Sequence, residues 1–328
     1  MATYINLHGN NIPIRSSDPT NPIDGEMWYN TTTNALKGLG YATAAWATSG
    51  ALPQAGDTRV GLGIQTAALC IGRQNQGYQT FNNSDIYNGA TWTAIPALNT
   101  NRTNGFASRE GSTTAGVYAG GFFHTPSSPT MANTEEYNGA SWTATNNMNQ
   151  ARFGTGGWGT EASMLAAGGY SWTAGTTYTN TEKYDGTCWA AVNSLNNARS
   201  GGFACGSPTA AHYFSYSATA GFQESWNGTS WSTVPATYNT AASGRTGAGT
   251  ATSAWTGGTG TAPKQQCEQW DGTSWAVSPA TLNTAGNRTN SGCGTSSLGL
   301  VFGGNPDLSA TEEFTAGGSL ESKTITTS

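Results

Sequence analysis

Five times along this chain an aromatic residue is followed by Asn or Asp, Gly, two small residues and Trp. The copies are Tyr87-Asn88-Gly89…Trp92, Tyr137-Asn138-Gly139…Trp142, Tyr184-Asp185-Gly186…Trp189, Trp226-Asn227-Gly228…Trp231 and Trp270-Asp271-Gly272…Trp275. A sixth Trp, Trp46, lies five residues after Tyr41, and the steps from it onward are 46, 50, 47, 42 and 44 residues. A fixed period of this size is the length of a four-stranded structural unit, and a chain that repeats it must stack its units to bury their faces. Asn-Gly and Asp-Gly favour tight turns in which the central residues take positive φ. Each copy therefore predicts a hairpin between a strand ending in an aromatic and a strand beginning with Trp.

Two more markers run in phase. Arg59, Arg102, Arg152, Arg199, Arg245 and Arg288 each lie 10 to 14 residues beyond a repeat Trp. Apolar runs ending in Gly occupy 69–72, 117–121, 164–169, 255–258 and 300–304, while the fourth copy reads His212-Tyr213-Phe214-Ser215 without a Gly pair. Each unit thus runs Trp strand, Arg-bearing loop, Gly-rich strand, apolar strand ending in Gly-Gly, variable loop, strand ending in an aromatic. This order resembles the kelch repeat over roughly residues 41–318. The resemblance implies an all-β chain, a six-bladed kelch-like β-propeller, with one blade per Trp–Arg–aromatic unit. Stacking leaves only short protected edges. The strand around Trp46 is expected to complete the sixth blade, and 319–327 is the rival for that place. Gly-rich strands suit the crowded axis. The periodic Arg are expected to be buried donors to backbone carbonyls that staple adjacent blades, with the in-phase carboxylates as partners.

The expected division is 1–40 as an N-terminal arm and hairpin and 41–328 as the propeller. Pro13, Pro19 and Pro22 suggest an extended arm, and polar residues flanked by apolar ones from Gly25 to Lys37 read as a hairpin. Pro22, Gly25, Trp28, Tyr29, Asn30, Thr31, Leu36 and Lys37 form a string that resembles a segment of tailed-phage virion proteins, and the Asn-Gly-x-Ser-Trp repeats resemble propellers of marine phages. The resemblance implies a non-enzymatic virion structural or adhesion protein on the particle surface, as a tail or neck appendage, fibre or capsid decoration. Its partners would be other virion proteins reached through the arm at Trp28 and Tyr29, a host-surface glycan or protein, and a second copy of the chain. A hairpin that merely caps the propeller is the alternative reading of this segment.

Only 9% of residues are charged, the net charge is −5 and Lys occurs four times. Without a basic cluster to neutralise phosphates, nucleic acid is not an expected partner. No apolar run of about 18 residues predicts a spanning helix, so membrane insertion is not expected, and the N-terminus carries no secretory pattern. Five Cys without a Cys-x-x-Cys pair read as small buried thiols. His8, His124 and His212 are too dispersed for a metal site, and neither a cofactor nor a catalytic set is expected. The Asp185 and Asp271 turns resemble sialidase Asp-box turns, a family that also needs a cluster of arginines and catalytic carboxylates. Two alternatives to the virion reading are therefore a free lectin-like interaction propeller and a glycan-acting enzyme.

Candidate binding residues lie in the variable loops 74–83, 122–133 and 170–180. They are Tyr78, Phe81, Phe122, Phe123, His124, Tyr170, Trp172 and Tyr178. Loops on a rigid scaffold carry function, and exposed aromatics stack on sugars or anchor interfaces.

Overall fold

A computed structural model describes residues 12–20, 26–41, 43–125, 127–217, 220–235, 238–239, 244–260, 262–317 and 320–325. His8, Pro22, Gly25 and parts of 319–327 lie outside the described residues. No helix occurs among the described residues. The chain divides into two compact units, Met1–Ala44 with Ala316–Ser328, and Ala45–Thr315. The C-terminal stretch therefore groups with the N-terminal one.

The smaller unit is a four-stranded sheet. Ile14–Arg15, which follows Pro13, lies parallel to Met27–Asn30, so this part of the arm is tied into a sheet. Met27–Asn30 and Ala35–Tyr41 form the hairpin, and Leu320–Thr324 pairs antiparallel with Ala35–Tyr41. Asn30 Oδ1 accepts from the main-chain N–H groups of Thr32 and Thr33 and so opens the turn. The Asp18 carboxylate accepts from Trp28 Nε1 (3.0 Å), Asn30 Nδ2 (2.7 Å) and Lys37 Nζ (3.0 Å). Those donors, the Asn30 amide first, hold its pKa down at about 2. Trp28 is fully buried and Tyr29 half-buried. The Trp28 indole N–H is thus spent on Asp18 within its own unit.

Among the described residues, the larger unit holds six four-stranded antiparallel sheets. The first is Val60–Ile64, Ala67–Gln74, Thr80–Tyr87 and Trp92–Ile95. The second is Phe106–Ala107, Gly116–Ala119, Thr134–Tyr137 and Trp142–Thr145. The third is Gly156–Thr160, Ser163–Ala167, Thr181–Tyr184 and Trp189–Val192. The fourth is Phe203–Ser207, Ala210–Ser217, Ala220–Trp226 and Trp231–Val234. The fifth is Thr246–Gly249, Ala254–Gly257, Cys267–Trp270 and Trp275–Val277. The sixth is Gly292–Gly294, Leu298–Phe302, Thr311–Thr315 and, from the start of the unit, Ala45–Ser49. Trp46 faces Phe314 in that last pairing. The outer place in the sixth sheet is therefore filled by Ala45–Ser49, while Leu320–Thr324 belongs to the smaller unit's sheet. The first strands of successive sheets pack on one another in chain order, and that of the sixth packs on that of the first. The arrangement is consistent with a β-propeller-like fold.

The repeat markers acquire physical roles. Outer-strand tryptophans reach the preceding sheet: Trp92 Nε1 donates to Thr311 Oγ1, Trp189 to Thr134, Trp231 to Thr181 and Trp275 to Gln223 Oε1, over 2.8 to 3.3 Å. Each acceptor sits one residue before the third-strand carboxylate that pairs with an Arg. The six ion pairs are Arg59–Asp85, Arg102–Glu135, Arg152–Glu182, Arg199–Glu224, Arg245–Glu268 and Arg288–Glu312. The guanidinium groups of Arg102, Arg152 and Arg288 bond within their own sheets: Arg152, for example, donates to Gly168 O, Asn180 O and Glu182. What bridges to the neighbouring sheet is the arginine main chain. Gly121 N donates to Arg152 O at 2.9 Å, and Gly169 N to Arg199 O at 2.8 Å. The expected stapling of adjacent blades by guanidinium groups is corrected accordingly.

That crossing explains the Gly pair. Gly120 and Gly121 take φ of 64° and 104°, and a Cβ on Gly120 would lie 2.5 Å from Arg152 O. In the fourth unit the strand does not break; Ala210–Ser217 continues and pairs with Ala220–Trp226 as far as Ser217↔Ala220. The hairpin after each third strand also differs from expectation. In Asn88-Gly89 only Gly89 has positive φ, at 91°. Asn88 instead accepts, through Oδ1, from the N–H groups of Ala90 and Thr91, an Asx turn within a four-residue loop. Four Cys are buried, and Cys188 is exposed in the Asp185 turn.

Candidate functional site: an aromatic face

Three neighbouring sheets lend their variable loops to one row of aromatic rings. In the first, loop 75–79 braces itself. Asn75 Nδ2 donates to Gln79 Oε1, Gln79 N to Asn75 Oδ1, and Tyr78 N to Asn75 O, at 2.8 to 2.9 Å. Gln76 N donates to Asp307 Oδ2 from the sixth sheet's loop. The bracing forces Tyr78 to φ 59°, a left-handed conformation uncommon for an aromatic residue, and leaves its side chain 63% exposed. Phe81 follows, half-buried, with the Arg73 guanidinium 3.6 Å over its ring.

The second sheet contributes Phe122, Phe123 and His124. Phe122 is buried and bridges Thr103 and Thr130. His124 N donates to Thr80 Oγ1 at 3.1 Å, tying this loop to the first. The His124 ring stacks on Tyr78 with centroids 5.0 Å apart and planes 22° apart. It also meets Phe122 edge-on at 6.4 Å.

The third sheet extends the row. Phe153 packs on Phe122 at 4.7 Å and stacks under Trp172 at 5.6 Å, with Tyr170 edge-on to both. Trp172 is 53% exposed. Its main-chain N–H donates to Thr130 Oγ1, and Thr130 N donates to Thr173 Oγ1, so the second and third loops are joined as well. Each ring contact of this kind contributes about 0.5–1.5 kcal/mol beyond burial.

Seven of the eight residues singled out from sequence therefore share this face: Tyr78, Phe81, Phe122, Phe123, His124, Tyr170 and Trp172. The Tyr178 hydroxyl instead accepts from Gln150 Nε2. Two contributors were missed. Phe153 follows the repeat arginine, where other units carry Thr103, Ser200 or Thr246; the aromatic out of phase was the available signal. Asn101 gave none, being one of many loop asparagines.

Between the first two loops opens a cleft of about 650 Å³, whose lining includes Tyr78, Gln79, Phe81, Asn101, Phe123 and His124. That size lies within the usual range for small-ligand sites. Asn101 Oδ1 is buried without a hydrogen-bond partner. No group of three or more potential metal ligands occurs among the described residues. His212 is away from the face. Its Nδ1 meets Gln223 Nε2 and its ring packs on Phe214 and Trp270, burial that lowers its pKa. Compared with known proteins, the chain matches no family model and no curated sequence.

Proposed function

We propose that Ala45–Thr315 is a six-bladed, kelch-like β-propeller closed by Ala45–Ser49, and that the chain is a non-enzymatic adhesion component of a tailed-phage particle. The propeller reading is supported by first strands that pack in order from the first sheet back to it, and by four outer tryptophans, Trp92, Trp189, Trp231 and Trp275, that donate to the preceding sheet. The virion reading is supported by the Trp28-Tyr29-Asn30-Thr31 segment and the Asn-Gly-x-Ser-Trp repeats. The N-terminal unit then serves as the anchor to a neighbouring virion protein.

The observation that carries the binding role is the aromatic row, rigidly joined across three loops and exposed at both ends, Tyr78 and Trp172. A non-catalytic reading fits the repeat arginines, each spent on a carboxylate of its own sheet and so withdrawn from substrate chemistry. The test is fractionation of particles from a lysate. Copurification at fixed stoichiometry, with loss of host adsorption in Trp172→Ala, is the expected result. A protein found only free of particles removes the virion reading and leaves a free lectin.

A further inference from the structure

Resting on that adhesion reading, we propose that the ligand of the aromatic face is an uncharged, hydroxyl-rich saccharide chain, seated in the cleft between the Tyr78 and His124 loops and running on toward Trp172.

The cleft supplies rings and neutral polar groups. Among its described lining residues there is no Asp, Glu, Lys or Arg. A charged ligand entering it would lose water without gaining a countercharge, a costly exchange. A hydroxyl group suits it, because the Gln79 and Asn101 amides and the Thr80 and Thr125 hydroxyls of the lining are neutral hydrogen-bonding groups. The stacked Tyr78 and His124 rings offer a π face to the C–H edge of a pyranose, the sign of contact the ring quadrupole favours.

The backbone points the same way. Tyr78 stands at φ 59° although the chain could have placed Gly there. Strain retained at one exposed aromatic marks a position held for contact rather than for stability. The second exposed platform, Trp172 on Phe153, belongs to the same row. An extended chain uses both ends, whereas a single sugar would use only one.

The test is an array of immobilised neutral, sialylated and sulfated oligosaccharides, probed with the full chain and with Tyr78→Gly, Asn101→Ala and Trp172→Ala. Neutral chains should bind with an affinity little changed by salt, since no ion pair is made. Each variant should weaken binding about tenfold. Tyr78→Gly should do so while its thermal midpoint stays level or rises, since Gly relieves the left-handed strain. Binding confined to acidic glycans, no binding on the array, or neutral binding untouched by these variants would each overturn the assignment. Particle adsorption separates this failure from that of the parent reading. If the variants abolish adsorption but the array shows no neutral ligand, adhesion stands and the saccharide class falls. If adsorption is unchanged, both fall.

Discussion

Glu182 takes four hydrogen bonds: from Asn149 N and Nδ2, Gln150 N and Arg152 NH2. One carboxylate thus neutralises a buried guanidinium and docks the incoming loop. The same Asn recurs at 99, 196, 239 and 283, each donating to its sheet's Glu and, through Nδ2, to the carbonyl of an outer-strand Trp. Glu182→Ala strands Arg152 and should cost about 3–5 kcal/mol in denaturant unfolding. The first sheet departs from the pattern. Asp85 is a methylene shorter and stays 3.8 Å from Arg59, while Cys70 Sγ accepts from that guanidinium. Asp85→Glu should close the gap and raise the thermal midpoint; a fall would show that the site cannot accept the longer side chain. Arg and Glu were legible as in-phase markers. The Asn was not, because its meaning lies in a contact 28 to 36 residues away rather than in its neighbours.

At the scale of sheets and hairpins, acid should act on the two units differently. Asp18 in the folded state titrates at about 2, below the unfolded range near 4. Its contribution is therefore complete above about pH 4 and is lost as pH falls toward 2. Trp28 fluorescence should report that change, and Asp18→Asn should flatten it. In the fourth sheet burial lowers the pKa of His212. The unfolded chain then binds the proton more readily, and stability present above about pH 6.5 declines as pH falls through the folded value. His212→Gln should remove that earlier dependence, read from thermal midpoints between pH 7 and 5. The element order was readable because period and turn chemistry agree in the five units that carry the aromatic-Asn/Asp-Gly turn. The turn mechanism was not, since Asn-Gly suits both a two-residue hairpin and the Asx turn that Asn88 makes. Nor was the fate of Trp28: a Trp in a short segment reads alike as a contact or a core, until Asp18, ten residues upstream, is seen to take its indole N–H.

For the whole molecule, the place of Trp46 is decisive. Its ring meets Trp255 of the fifth sheet at 5.2 Å and Phe314 of the sixth at 5.1 Å. A chain cut to 45–315 should keep cooperative unfolding. A chain starting at 50 should expose the edge of Thr311–Thr315 and self-associate, as size-exclusion chromatography would show. Sequence alone left two strands competing for this edge, because neither is joined to Thr311–Thr315 by an Asn-Gly or Asp-Gly turn and only pairing separates them. The pairing Ala45–Ser49 with Thr311–Thr315 also sets a schedule for synthesis. The first strand of this unit to leave the ribosome has no partner until nearly the last residue of the unit has emerged. Intermediate sheets can form in turn, but the nascent chain must carry an unmated tryptophan strand throughout. Such long-range pairing folds slowly and exposes a sticky edge meanwhile, so yield in the cell should depend on what shields residues 45–49 during translation.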